Sequence, residues 1–505
     1  MEEPLSVPDF LEQSARQWPD SVWLRTPDGE ASRAEVLERA TRCAGGLAER
    51  GVGVGDHVVV VLPNGIPFVQ SWFAVMLRGA VAVAVNPKAA EAELATVLAT
   101  MKASLVIAGA EIPVPAGIAR VTPDQLAGAA PVGAATRCTP EQPAGYIQSS
   151  GSTGKPKFVI QSHAMYTMAA EGFPWWLGLT SEDVLLTTLP QSHLNAQAYS
   201  TLGSFGCGAQ LVLLPRFSAR TFWREAKDYG ATQFNAIGAM LEILLAQEPS
   251  EQERDHGIRL CYTGPAPTEA RHREMEERFG LRVVVGYALS ESPFGLITPL
   301  DEPVRHTSMG RPRQHPRMGR INEARLGDPG AGDVPVGTPA ELLLRNPATT
   351  PGYFGDPEQT ASVLRDGWLH TGDLAYADAD GHFYFAGRIK EIIRHRGENL
   401  SPAEVENALG THPGVSSVAV VGVPSPLSEE DVKAFVMPAR PGAVDAAELA
   451  AWCEPRLPSY KRPRYYEFVA EWPLTETQKI AKTELPRERT DTEYDVQSTG
   501  VRTRT

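Results

Sequence analysis

Residues 34–108 alternate two kinds of apolar spacing, and few folds accept that pattern. Apolar side chains recur at helical spacing over 34–50, Gly51 follows as a stop, and 57–62 is a β-branched run closed by Pro63-Asn64-Gly65. The cycle repeats, with helical spacing over 68–77 and 90–101 and strand-like runs over 81–85 and 105–108. Such alternation predicts an α/β fold, a parallel sheet with helices on both faces. Apolar runs at 184–189, 210–214, 231–237 and 282–285 extend the same expectation.

A chain of 505 residues exceeds the roughly 250–300 that one core serves, so a boundary is expected. Beyond Pro299 the sequence turns Pro- and Gly-rich, with short β-like runs at 341–344 and 382–385, which predicts a small barrel-like sheet attached to the α/β body. After Arg388 come a helix over 402–409 opened by Ser401, strands near 415–421 and 433–437, and a helix over 446–453. These predict a large domain over 1–389 and a small mobile α+β domain over 390–486. Residues 487–505, poor in apolar side chains, are expected to be a disordered tail.

The formal charge of -14 lacks the basic footprint of a nucleic-acid partner and favours a small-molecule substrate. The five cysteines are far apart with no CxxC spacing, which predicts buried, reduced thiols rather than a zinc site or a disulfide framework. The acidic start does not read as a signal peptide, and no apolar run approaches the ~18 residues of a membrane span. The expectation is a cytoplasmic protein with no membrane partner.

Ser149-Ser150-Gly151-Ser152-Thr153-Gly154-Lys155-Pro156-Lys157 stands between the stretch 145–148 and the β-like 158–160. Small residues let backbone amides approach an oxyanion, hydroxyls add donors and lysines add charge, as a polyphosphate requires. The spacing is not that of a Walker loop, since Pro156 follows Lys155 and only two residues separate Gly151 from Gly154. On its own the segment fits a phosphate cradle or a flexible surface loop equally well.

In this sequence the loop is followed, in order, by Gly264-Pro265-Ala266-Pro267, Gly286-Tyr287-Ala288-Leu289-Ser290-Glu291, Trp368-Leu369-His370-Thr371-Gly372-Asp373, Gly387-Arg388-Ile389-Lys390 and Thr475-Glu476-Thr477-Gln478-Lys479. The series resembles the adenylate-forming superfamily of acyl-CoA synthetases, luciferases and peptide-synthetase adenylation domains, from the N-terminal helix to Leu485. The resemblance implies an ATP-dependent ligase that converts a carboxylic acid to acyl-AMP and then transfers the acyl group. It implies that Ser149, Ser150, Gly151, Ser152, Thr153, Gly154 and Lys157 hold the phosphates, and that Gly264, Pro265 and Ala266 contact adenine. Gly286, Tyr287 and Ser290 would line the nucleotide and Glu291 would hold Mg2+. Asp373 would take both ribose hydroxyls, a task suited to the two oxygens of a carboxylate. Arg388 would meet the nucleotide and Lys390 would be the hinge. Lys479 would be the mobile catalytic ammonium, although Gln478 departs from the family's usual glycine and Lys482 is a rival by spacing.

Leu189-Pro190-Gln191-Ser192-His193 resembles the family segment whose His lines the acyl pocket and gates access. With Asn195, Phe234, Gly238, Ala288 and Pro293 it is the implied acyl pocket, and Ala288, in place of a glycine, narrows it. Trp175, Trp176, Phe234 and Phe294 offer aromatic walls for an aryl or short acyl acid. Arg396-Gly397-Glu398 resembles the loop along the second-substrate tunnel. Segments 194–199 and 234–240 are similar to the carnitine/crotonobetaine branch of acyl-CoA ligases, which is also similar to amide bond synthetases. The implied acceptor is therefore coenzyme A, with an amine as the alternative. A non-catalytic nucleotide-binding regulator would be expected to lack Lys479 or Glu291, and both are present.

Overall fold

A computed structural model describes residues 3–103, 105–131, 138–149, 157–319, 322–395, 398–425, 430–475 and 480–496. The predicted alternation forms as Arg33–Glu49, His57–Val61, Ile66–Leu77, Val81–Ala84, Glu91–Met101 and Leu105–Ala108. Helix Arg33–Glu49 starts at a capping box, in which the Ser32 hydroxyl accepts from the Glu35 amide and the Glu35 carboxylate accepts from that of Ser32. Helix Ile66–Leu77 is buried from Phe68 to Leu77, so its apolar surface is covered on every side.

Two large sheets result. The six-stranded one runs Ala119–Val121, Leu105–Ala108, His57–Val61, Val81–Ala84, Pro143–Ser149, Lys157–Ser162, parallel except for its last pair. In the 14-stranded sheet, Val22–Thr26, Gln210–Leu213, Val184–Thr187, Gln233–Asn235, Leu260–Thr263 and Arg282–Leu289 lie side by side in parallel. From Ser292–Ile297 onward the pairing turns antiparallel and takes in Ser308–Pro312, Phe383–Arg388, Trp368–Ala377, Ala340–Arg345 and Glu323–Leu326. This is the expected β-rich part, which continues the large sheet while enclosing its own core around Leu296, Leu342, Leu344 and Leu369.

A smaller C-terminal domain carries a four-stranded sheet, Val415–Pro424, Glu430–Pro438, Tyr465–Phe468 and Tyr494–Asp495. The last strand corrects the expectation of a disordered tail from residue 487, at least through residue 496. Buried Lys433 pairs with Glu467 and Glu493, each at 2.7 Å, and Arg464 pairs with Asp431 at 2.9 Å and Asp495 at 3.0 Å. Charges that read as solvated in sequence here compensate buried partners. Cys43, Cys261 and Cys453 are buried as expected, whereas Cys138 and Cys207 are only half-buried. Among the described residues no helix is long and apolar enough to cross a membrane.

Candidate active site

The carboxyl ends of parallel strands are where an open α/β sheet leaves a crevice for ligands. Strands Val184–Thr187, Gln233–Asn235, Leu260–Thr263 and Arg282–Leu289 all end into predicted site segments, at 189–193, 236–238, 264–267 and 286–291. Backbones approach closely here. A side chain at Gly286 would come within 2.4 Å of the Tyr262 hydroxyl, and one at Gly264 within 2.7 Å of the Gly286 carbonyl.

Asp373 and Arg388 face each other as register partners on adjacent strands. The Arg388 Nε lies 3.1 Å from Asp373 Oδ1, and the Tyr287 hydroxyl donates to Asp373 Oδ2 at 2.7 Å. Asp373 is 3% exposed, so its charge needs these partners. Burial, then the Asp373 carboxylate, holds the Tyr287 phenol well above its ordinary value, and it stays a donor. The predicted Tyr287, Asp373 and Arg388 therefore form one polar cluster.

Ser149 and Lys157 are register partners at the end of an antiparallel pair, so the predicted phosphate loop connects two hydrogen-bonded strand ends. Ser150, Gly151, Ser152, Thr153 and Gly154 lie outside the described residues. The strand that leaves the loop is tied to Glu291 through residues that sequence reading missed. Ile160 N donates to the Gly352 carbonyl at 3.0 Å, and Thr350 donates through its hydroxyl to Ile160 O at 2.7 Å and through its amide to Glu291 O at 2.8 Å. Tyr353 donates its hydroxyl to Glu291 Oε1 at 2.6 Å, and Gln161 Nε2 donates to the Ser290 carbonyl at 2.8 Å. Lys157 Nζ reaches Gln359 and lies 5.8 Å from the Tyr353 ring centre. The only signal in the sequence was Pro351-Gly352-Tyr353, an ordinary turn by itself.

The segments predicted to form the acyl side are built differently. Asn64 grips the segment leading to His193, donating to Leu189 O and accepting from Gln191 N, each at 3.0 Å. Beyond His193 the chain forms an eight-residue π-helix, Asn195–Leu202, a form no sequence pattern predicted. On it, Tyr199 stacks on Phe173 at 4.6 Å, meets Tyr262 edge-on at 5.7 Å, and donates its hydroxyl to the Pro293 carbonyl at 2.5 Å. Trp176 packs on Phe294 at 4.4 Å. Gly238 opens a helix close to Pro265, and Ala288 is half-buried against the main core.

Two aromatic expectations are corrected. Phe234 is wholly buried against Phe222 and Trp223 in a core on the other face of its strand, because strand neighbours alternate and Asn235 takes the face toward the π-helix. Trp175 is 48% exposed and lines no enclosed wall.

Between the domains, Gly387 has φ +126°, and a side chain there would strike Ser401 Oγ, whose hydroxyl donates to Ala386 O at 2.5 Å. Lys390 follows in an exposed 3-10 turn. Gly397 and Lys479 lie outside the described residues. Leu474 and Ile480, which bracket Lys479, are bridged antiparallel, and Ala481 N donates to Pro473 O at 2.8 Å. The rival Lys482 pairs with Glu391 at 3.0 Å and Glu406 at 2.8 Å. Burial works against its charge, but those two carboxylates hold the ammonium above its ordinary value. Lys482 is thus engaged in tying the small domain together.

Parallel strands ending at the predicted site segments, with buried Asp373 held by Tyr287 and Arg388, form the framework of an ATP-dependent, AMP-forming carboxylate ligase. The chain belongs to the AMP-binding enzyme family, whose model matches residues 11–354, with the model of the AMP-binding enzyme C-terminal domain matching 404–479. It is 30% identical over 494 residues to a crotonobetaine/carnitine–CoA ligase of Escherichia coli O139:H28, covering 90% of this chain and 92% of that one. ATP-bound MatB from Rhodopseudomonas palustris superposes with a TM-score of 0.87 at 25% identity, over 95% of this chain and 98% of that one. The anthranilate CoA ligase AuaEII, in complex with anthranoyl-AMP, gives 0.87 at 25% identity, over 96% and 97%.

ATP and Mg2+ are the cofactors of this class. Among the described residues no group of three or more His, Cys, Asp and Glu side chains could hold a metal by itself. Mg2+ binds through one or two carboxylates and otherwise through substrate phosphates. Glu291, the carboxylate expected from the sequence to serve Mg2+, accepts from the Tyr353 hydroxyl at 2.6 Å.

Proposed function

We propose that the chain activates an aryl or short acyl carboxylic acid as acyl-AMP and passes the acyl group to the thiol of coenzyme A. In the first step a carboxylate oxygen attacks the α-phosphorus of ATP and pyrophosphate leaves. In the second the thiol sulfur attacks the acyl carbonyl, the thiol proton is lost to solvent and AMP leaves. Mg2+ on the nucleotide would neutralise phosphate charge, with Glu291 as its protein ligand.

In this reading Asp373 accepts the ribose hydroxyls, Tyr287 and Arg388 hold it ready, and Ser290 and the loop from Ser149 to Lys157 receive the phosphates. Lys479 bridges the attacking carboxylate and the α-phosphate, offsetting charge at phosphorus. Residues 1–389 and 390–486 act as separate bodies about Lys390, so the first step has Lys479 in place and the second brings Gly397 to the acceptor. His193 lies at the acyl entrance.

The observation that carries adenylation is the buried Asp373, held by Tyr287 and Arg388 at the crevice. The choice of coenzyme A rests on relatives named as CoA ligases over nine-tenths of the chain. An aryl or short acid is favoured because the segment beyond His193 packs on rings, Tyr199 against Phe173 and Tyr262.

The test is pyrophosphate release from ATP, Mg2+ and a panel of acids, run with coenzyme A, with an amine, or with neither. Acyl-CoA formation is expected from aryl and short acids; an amide formed with no thioester would overturn the choice of acceptor. Lys479→Ala is expected to cut adenylate formation by about 10²–10³-fold or more. Persisting adenylation in that variant, with Lys482→Ala inactive yet folded, would reverse the lysine assignment.

A further inference from the structure

The π-helix Asn195–Leu202 needs a cause, since its i→i+5 bonding is rarely adopted and its neighbours are ordinary α-helices. One side chain on the adjacent strand supplies it. Asn235 Nδ2 donates to Asn195 Oδ1 at 2.8 Å and to Ser200 Oγ at 3.1 Å, and Asn195 and Ser200 are five residues apart. In an α-helix five residues turn through about 500°, leaving the two side chains roughly 140° apart around the axis. In i→i+5 winding, with more residues to each turn, the two side chains come much closer to one face of the helix, within reach of a single amide. The pair of bonds therefore selects the π form over the α form.

The amide is itself oriented. Gln233 Nε2 donates to Asn235 Oδ1 at 2.6 Å, so the oxygen is taken and the NH2 group is turned to the helix. Gln233 and Asn235 are 0% and 1% exposed, on the strand face opposite Phe234. Buried amides in a parallel strand are costly unless their bonds are made; Asn235 bonds through both amide atoms, whereas Gln233 Oε1 has no partner among the described residues.

The helical ladder begins at His193, where Gln197 N donates to the His193 carbonyl at 3.2 Å, and Gln197 Nε2 reaches back to Gln191 O at 2.7 Å. The winding of the helix thereby sets the position of the segment carrying His193. We infer that Asn235 is a positioning residue: by clamping Asn195 and Ser200 it keeps the segment π-helical and so holds His193 at the acyl entrance. This rests on the role proposed above for His193.

The experiment is a double-mutant cycle on the full chain, using the best acid of the panel with ATP, Mg2+ and coenzyme A, and reading kcat and KM for the acid separately. His193→Ala and Asn235→Ala are each expected to lower kcat/KM by about tenfold or more, with the same division between kcat and KM. The double variant should lose no more than the worse single one. Losses that multiply, or a different division between kcat and KM, would overturn the assignment. Ser200→Ala removes one of the two contacts without adding bulk, and decides the matter should Asn235→Ala fail to fold. A loss of a few-fold that disappears in the His193→Ala background supports the clamp, and a loss that persists there overturns it. An unimpaired His193→Ala beside an impaired Asn235→Ala would sink the coupling while leaving adenylation standing. Absence of pyrophosphate release from every acid by the wild-type chain would instead remove the functional reading, and with it the role given to Asn235.

Discussion

On the proposed assignment, the ribose end and the acyl end of the site are held by different kinds of bond. At the ribose end an ionised carboxylate, a guanidinium and a phenol meet within 3.1 Å. At the acyl end the polar contacts are between neutral groups, Asn235 with Asn195 and Ser200, Tyr199 with the Pro293 carbonyl, and the rest is stacked rings. Charge-assisted bonds fix one geometry strongly, while amides and aromatic faces can be exchanged at lower cost. An enzyme that must always bind the same nucleotide but accept one acid among many gains from that division.

The largest expected effect exposes the neutral end. Helix His163–Trp176, which carries Phe173 to Tyr199, begins at buried His163, whose Nδ1 accepts from Val7 N at 3.2 Å. Burial, opposed by Asp9, pushes its pKa down from 6.5 to about 4. The folded state disfavours the proton, so the unfolded chain binds more protons between those values and stability falls as pH drops from 6.5 through 4. The loss should reach about 3 kcal/mol, visible as a falling urea midpoint, and His163→Gln should flatten the pH dependence. An unchanged midpoint over that window would contradict a neutral anchor.

Next in size is the charged end. Asp373→Asn should raise KM for ATP by about 10- to 100-fold with little change in KM for the acid. A comparable change in both would mean that the two ends are not separately held. Smallest is Tyr199→Phe, which keeps the rings stacked but strips the Pro293 carbonyl of its donor. It should cost about 1 kcal/mol of stability and alter KM for the acid about fivefold or less, with KM for ATP unmoved.

The two ends also differed in how far the sequence revealed them. Tyr287, Asp373 and Arg388 were each marked by the resemblance of their motifs to the adenylate-forming family, whereas their contact with one another, across up to 86 positions, left no local trace. The alternating elements over residues 34–108 were legible from the sequence itself, since local periodicity reports burial. Tyr353 and Thr350 were not, because a residue that reaches Glu291 from some sixty positions away leaves no local trace. The π-helix was invisible because its cause, Asn235, lies on another element, and apolar spacing cannot separate i→i+4 from i→i+5 winding over eight residues. Phe234 was misassigned because an aromatic in a site motif looks alike whether it faces ligand or core. The strand at 494–495 was taken for part of a disordered tail because sequence does not disclose that Glu493 and Asp495 answer buried Lys433 and Arg464.

The bridged pairs Ser149 with Lys157 and Leu474 with Ile480 have a further consequence. Each closes the neck of a segment assigned to phosphate chemistry, so the cost of bringing its ends together falls on folding rather than on each turnover. For a lysine on such a closed segment, local concentration near its target is set by the number of residues inside the neck. Lengthening 475–479 with glycine and serine should dilute Lys479 gradually, in step with the slow logarithmic dependence of loop closure on length.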